Sequence, residues 1–240
     1  MKIKAIKTRI FKESEDLLSF ILKYIKRLPE KSVLVITSKI VSLSEGRTFD
    51  IKGKDKKEIK KIREILIKKE SKLAIRTKLT WLTIKDNMVM SSAGIDESNA
   101  NGKILLLPKD SFQTAEYVRK ELKNLFKIKN LGVLITDSRI FPLRAGIVGV
   151  ALGYAGFKGV LDYRGTKDIF GRVLKMSRTD IADSLATSAV LCMGEGKERQ
   201  PLAIVKDAPV DFIERVDKKE LIINPKNDLY LPLFKSILKK

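Results

Sequence analysis

Three acidic residues stand in separate polar stretches of this 240-residue chain: Asp96 in GIDESN, Asp137 beside Ser138 in TDSR, and Glu195 in MGEGK. Carboxylates at the ends of different elements, each within two residues of Gly, Ser or Asn, commonly enclose a hard divalent cation while leaving room for phosphate oxygens. The remaining inventory narrows the chemistry. There is no histidine and a single cysteine, Cys192. A disulfide within the chain, a thiolate zinc site and a His-activated nucleophile are therefore excluded. Any catalysis must use carboxylates, hydroxyls, Lys, Arg and the backbone, and a metal is expected to be Mg²⁺ or Mn²⁺.

The elements that must position these groups can be read from periodicity. The apolar, β-branched run Val133 to Thr136 is a strand whose tip delivers Asp137 and Ser138. SVLVIT (32 to 37) is a second strand with a hydroxyl-rich end at Thr37, Ser38 and Lys39, followed by a short helical turn closed by Gly46. Met1 to Lys7 alternates as a half-buried strand, and Ser14 caps a helix expected to reach Leu28, before Pro29. The Lys-rich stretch 54 to 72 keeps Ile59, Ile62, Ile65 and Leu66 at helical spacing. Strands follow in 73 to 84, at Met88 to Met90 and at LLLP (105 to 108), and Asp110 or Ser111 caps a helix to Phe126. Half of the 14 glycines fall between Gly146 and Gly171, which reads as antiparallel and loop-rich. Thr179 and Asp180 start a helix with Ala182, Leu185, Ala186, Ala189 and Val190 on one face, stopped at Gly194. Cys192 on that helix reads as a buried small hydrophobe. Leu202 to Val205 is a strand, and Leu229 to Leu238 a last helix.

The fold class is mixed α/β. The expected division is a first domain of 1 to 75 completed by 205 to 240, and a metal and substrate domain of 76 to 204 that carries the glycine-rich region. With 44% hydrophobic and 32% charged residues the chain is globular. No run approaches the roughly 18 apolar residues of a membrane helix, and MKIKAIKTRIF lacks a signal-peptide core, so a soluble, cytoplasmic protein without a membrane partner is expected. The net charge of +20 raises the question of a polyanionic partner. The lysines lie mostly on amphipathic faces with interleaved acids, and neither an aromatic RNA-recognition signature nor a zinc-finger spacing is present, so nucleic acid is not the expected partner. Arginines concentrate beside the glycines, at Arg139, Arg144, Arg164, Arg172 and Arg178, where their planar forks suit carboxylate or phosphate. No G-x-x-x-x-G-K-[ST] loop occurs; Gly194, Glu195, Gly196 and Lys197 could cradle phosphate on backbone N–H groups or serve as a plain helix stop.

Five co-ordered motifs, T-S-K-x-V-S-x-x-E-G-R (37 to 47), A-G-I-D-x-S-N (93 to 99), I-T-D-S-R (135 to 139), D-x-x-G-x-x-D-x-x-G-R (162 to 172) and M-G-E-G (193 to 196), resemble the coenzyme F420:L-glutamate gamma-glutamyl ligase family. The resemblance runs to about residue 206. It implies a two-domain α/β protomer in an intertwined homodimer, with the site near the subunit interface. It also implies a divalent-metal-dependent ligase that uses GTP, with ATP not excluded, to join L-glutamate to an anionic coenzyme acceptor through an acyl phosphate. By match of motif, Asp96, Asp137, Ser138 and Glu195 would be metal ligands. Asn99, Ser38 and Lys39 would meet the nucleotide, and Gly194, Gly196 and Lys197 its phosphates. Asp137, Arg139 and Arg144 would carry the chemistry, the two arginines orienting anionic substrate.

Three departures from the family pattern stand out. Leu43 occupies the place of a lysine two residues before Glu45-Gly46-Arg47, Ser138 that of a threonine, and the N-terminal segment Lys7 to Phe11 lacks a proline. PLRAG (142 to 146), LDYRG (161 to 165) and GEGKERQP (194 to 201) point to a branch whose acceptor is folate-like or pterin-like. Two other readings stay open: a non-catalytic protein that binds a nucleotide or pterin, which Leu43 favours, and a basic RNA-associated protein.

Overall fold

The computed structural model describes residues 1–232. Its strands are β1 (Lys2–Ile6), β2 (Ser32–Thr37), β3 (Thr48–Asp50), β4 (Leu73–Arg76), β5 (Trp81–Lys85), β6 (Met88–Ser91), β7 (Lys103–Leu105), β8 (Leu131–Arg139), β9 (Val148–Ala155), β10 (Val160–Asp162), β11 (Arg178–Asp180) and β12 (Leu202–Lys206). The helices are α1 (Leu17–Tyr24), α2 (Ser38–Ser44), α3 (Lys56–Glu70), α4 (Ser111–Phe126) and α5 (Ile181–Met193). The fold is mixed α/β, as the sequence indicates.

A five-stranded sheet in the order β1-β12-β2-β8-β9 forms the centre. It draws strands from both segments that the sequence divides into domains. Only β2 and β8 pair in parallel; the other neighbours are antiparallel. The central strands are buried on both faces, which is why they read as continuous apolar runs rather than alternating ones. On one face Leu34, Ile36, Val133 and Ile135 pack under α1, α2 and α4 through Phe20, Ile21, Val41, Val118 and Leu122. On the other, Val33, Val35, Leu134, Ala203 and Val205 pack under α5 through Ala182, Leu185, Ala186 and Ala189. Each such Leu, Ile or Phe side chain contributes roughly 1.5–3 kcal/mol by leaving water.

The small residues of α5 let it lie directly on β9. A Cβ at Gly149 would come within 2.5 Å of the Ala186 carbonyl oxygen, and the Thr187 hydroxyl donates to the Gly149 carbonyl at 2.7 Å. Outside the central sheet, α3 packs on the meander β4-β5-β6, and β3 pairs with β7. The Lys-rich helix carries the full capping box, Asp55 with Glu58.

Several expectations shift. The first helix starts after Asp16, which caps it, and ends at Tyr24 rather than Leu28, because Ile25 is already extended. Ser14 stands before it with φ 58°. Cys192 is exposed, since the buried face of α5 runs through Ala182, Leu185, Ala186, Ala189 and Met193 and turns residue 192 outward. The strand foreseen over 105 to 108 is Lys103–Leu105. Most of the predicted last helix, 229 to 238, lies outside the described residues.

At the start of α5, Asp180 caps the helix by accepting from the Asp183 N–H at 2.9 Å. Burial, with Asp183 and Glu220 nearby, pushes the Asp180 carboxyl up from 3.8 to about 6. A raised carboxylate pKa means the fold disfavours the charged form. The penalty is absent below the unfolded value, grows as pH rises toward 6, and is complete above it. Asp180→Asn keeps the cap and removes the charge. It should raise Tm by about 2–4 °C at pH 7.5, from on the order of 1 kcal/mol after allowance for solvent screening. The gain should vanish near pH 4 in thermal melts; an equal gain at both pH values contradicts the assignment.

Candidate functional site

The register of the one parallel pair sets the site. Thr37 lies opposite Thr136 where the β2–β8 pairing stops, β8 running on to Arg139 against β9, and the next residues, Ser38 and Asp137, meet. Ser38 opens α2 beyond its cap residue Thr37 and donates its hydroxyl to Asp137 Oδ1 at 3.2 Å. Strand β12 runs the other way, so its start joins the same edge. The Thr37 N–H donates to the Pro201 carbonyl at 3.0 Å, and the Thr8 N–H to that of Arg199 at 2.8 Å. This anchors the loop from Gly194 to Pro201 over the sheet end.

Four side-chain contacts join these pieces. Lys39 Nζ pairs with Asp96 Oδ2 at 2.7 Å and donates to the Ser98 carbonyl at 2.7 Å. Ser38 reaches Asp137. The Ser138 hydroxyl donates to Glu195 Oε1 at 2.5 Å. Asn99 Nδ2 donates to the Gly196 carbonyl at 3.3 Å. Because Ser38 adjoins Lys39, Asp137 adjoins Ser138, and Glu195 adjoins Gly196, the contacts close into a ring from Asp96 through α2, β8 and the glycine loop to Asn99. Residues as far apart in sequence as Ser38 and Gly196 thus share one rim. Asp96 itself is placed by a two-bond bridge to Leu105, its N–H and carbonyl spaced 3.1 and 2.8 Å from their partners.

Each carboxylate on the rim has an internal partner. Arg139 is only 8% exposed and bonds Asp137 Oδ2 and, at 2.8 Å, the Ser138 carbonyl. Its Nε and Nη2, and the hydroxyl of Thr136, have no hydrogen-bond partner among the described residues. Burial pushes the Asp96 carboxyl up, but Lys39 and the N–H and hydroxyl of Ser98 outweigh it and hold the group below its usual range. The backbone N–H of Gly196 is likewise occupied, by Glu198 Oε2 at 2.8 Å.

Among the described residues no three Asp, Glu or Cys side chains cluster closely enough to share one ion. The four oxygen donors stand around the rim rather than on a single point, with cationic nitrogens of Lys39 and Arg139 set against Asp96 and Asp137. Lys39 Nζ has Asp96 Oδ2, the Ser98 carbonyl and, at 3.1 Å, the Ser98 hydroxyl about it. That oxygen-only set is of the kind that suits a hard divalent cation, and the Arg139 fork has two nitrogens without a partner among the described residues.

Of the other predicted residues, Lys197 is exposed on the glycine loop, and Arg144 is exposed beyond β8. Arg144 borders a cleft of about 650 Å³ with Phe141, Gly146, Val148 and Tyr230, and it takes no part in the ring. Leu43 packs against the apolar core beside α1, so it serves the fold, and Lys39 is the rim's ammonium. Arg9 is turned onto Glu15 and over the Phe20 ring. Sequence reasoning missed Ser98 and Glu198 as site residues. The available signal was the two-residue spacing at which a carboxylate accepts from nearby backbone: Asp96 from the Ser98 N–H, and Glu198 from the Gly196 N–H.

The F420-0:Gamma-glutamyl ligase family profile matches residues 5–207. The coenzyme F420:L-glutamate ligase of Methanococcus maripaludis strain C7 is 33% identical, over 96% of this chain and 97% of its own. That of Methanocaldococcus jannaschii is 34% identical over 77% of this chain and 79% of its own, and that of Archaeoglobus fulgidus 32% over 89% and 92%.

Replacing Lys39 with Met should let burial act on Asp96 without the ammonium. The carboxyl carbon of Asp96, followed by NMR, should titrate at higher pH than in the parent protein; an unmoved titration contradicts the pairing.

Proposed function

This chain belongs to the F420-0:gamma-glutamyl ligase family, and from that premise we propose that it joins L-glutamate to a coenzyme F420-type acceptor at the expense of GTP. The observation that carries the reading is the closed rim, which gathers Asp96, Asp137, Ser138, Glu195 and Asn99 with two cationic side chains. In the proposed reaction the terminal phosphoryl group of GTP passes to an acceptor carboxylate, giving an acyl phosphate and GDP. The amine of glutamate then attacks the acyl carbon, inorganic phosphate leaves, and the amine loses its proton to solvent. Asp96, Asp137, Ser138 and Glu195 would hold Mg²⁺ or Mn²⁺, which when bound neutralises charge on the transferring phosphoryl group.

The chain's own residues have separate tasks. Asn99 and Ser38 bind and orient the nucleotide, and the loop from Gly194 to Lys197 offers backbone N–H groups to its phosphates. Lys39 and Arg139, the two cationic side chains of the rim, would face the phosphoryl oxygens. Arg144, which lines the cleft with Phe141, Gly146 and Val148, would orient the anionic acceptor. No step needs a histidine. Exposed apolar side chains at Leu143, Ile169, Phe170, Met176 and Leu191 support a homodimer, which sedimentation would register as twice the chain mass.

The test is incubation with GTP or ATP, Mn²⁺ or Mg²⁺, glutamate and a panel of deazaflavin and folate acceptors, read by mass spectrometry. Addition of a glutamyl unit to a deazaflavin acceptor in the presence of GTP is expected. Asp137→Asn should lower turnover by about two to three orders of magnitude; because it also leaves the buried Arg139 guanidinium without its carboxylate, the melt should fall, and turnover is compared at a temperature well below the variant's own Tm. Nucleotide binding without phosphate release on any acceptor would favour the non-catalytic reading, and full turnover by Asp137→Asn would remove Asp137 from the chemistry.

A further inference from the structure

The glycine loop already holds an anion. Gly196 N–H donates to Glu198 Oε2 at 2.8 Å, and the carboxylate leans onto Gly194, where a Cβ would come within 2.6 Å of Glu198 Cδ and 2.9 Å of Oε2. Gly194 has φ +80°, a conformation that L side chains rarely adopt, so the position favours glycine on backbone grounds as well as for space. The Glu198 oxygens therefore stand in for those of an oxyanion. The loop is fixed from outside by Asn99 on the Gly196 carbonyl and by the Thr8 N–H on the Arg199 carbonyl. Arg199 takes φ 55°.

We infer that Glu198 is an internal plug of this loop, and that a phosphate group of the nucleotide binds by displacing its carboxylate from the Gly196 N–H. The inference rests on the nucleotide reading of the loop given above and adds to it a residue and a competition. The physical reason is simple: one backbone donor cannot serve two anions, and a carboxylate left beside bound phosphate repels it. Glu198 lies on the surface and, among the described residues, its side chain is hydrogen-bonded only within its own loop, so it can swing away without disturbing the core. The side chain matches the rest of the rim, where Lys39 and Arg139 set internal cations against Asp96 and Asp137.

The test uses the full chain without divalent cation, titrated calorimetrically with inorganic triphosphate and with GTP. Glu198→Ala should bind both about tenfold more tightly than the parent, and Glu198→Gln about threefold, since the amide keeps an acceptor but loses the charge. In ¹⁵N spectra the Gly196 amide should shift upfield in Glu198→Ala and return downfield when triphosphate is added. Equal or weaker binding of both probes in both variants, with the Gly196 amide unmoved, overturns the inference. Glutamyl transfer is not read in this experiment, so its outcome and that of the ligation assay fall independently.

Discussion

The register of the parallel β2–β8 pair, whose last pairing is Thr37 with Thr136, is the constraint on which the rest of the site depends. Parallel pairing in this register, Thr37 opposite Thr136, leaves no freedom about what comes next: Ser38 at the first turn of α2 must face Asp137. Because β12 enters the sheet antiparallel on the other side of β2, the loop from α5 must cross the same edge. Three segments distant in sequence are thereby delivered to one rim before any polar contact forms, and the apolar burial on both faces of the sheet holds them there. The polar ring then adds position rather than stability, since exposed and half-exposed ion pairs contribute little on their own.

The rim is closed on itself. Asp96 has Lys39, Asp137 has Arg139 and Ser38, Glu195 has Ser138, and the N–H of the glycine loop has Glu198. A set of charged groups at a sheet end has two ways to remain compact: bind solvent and ions, or pair internally. Here the pairing is internal, and its pattern complements the ligands proposed above. Cationic nitrogens face the carboxylates assigned to a divalent ion, and a carboxylate faces the N–H assigned to phosphate. Exchange of each internal partner for a substrate group would free Lys39 and Arg139 at the moment when negative charge arrives.

Much of this was legible in the sequence, for physical reasons. β2 and β8 could be seen because strands buried on both faces read as unbroken apolar runs, and their polar tips marked the chemistry. Asp96 and Glu195 could be singled out because they lie in polar, glycine-containing loops, and Asp137 with Ser138 because they stand at the tip of an apolar strand; Asn99 came from the match of motif alone. What was not legible is pairing. Nothing local says that Lys39 lies on Asp96, that Arg139 folds back onto Asp137 and is buried, or that Glu198 returns to Gly196. The end of α1 at Tyr24 and the outward turn of Cys192 were missed for a related reason: a small shift in helix phase or length changes which side chains reach the core, and composition does not report it.

The most direct measurement is a crystal structure of the protein with Mn²⁺ and a non-hydrolysable GTP analogue, the metal located by its anomalous signal. The account predicts manganese on oxygens of Asp96, Asp137, Ser138 and Glu195, with Lys39 displaced from Asp96 and the phosphates over the loop from Gly194 to Lys197. Manganese bound elsewhere, with the ring of contacts intact beneath the nucleotide, would contradict it.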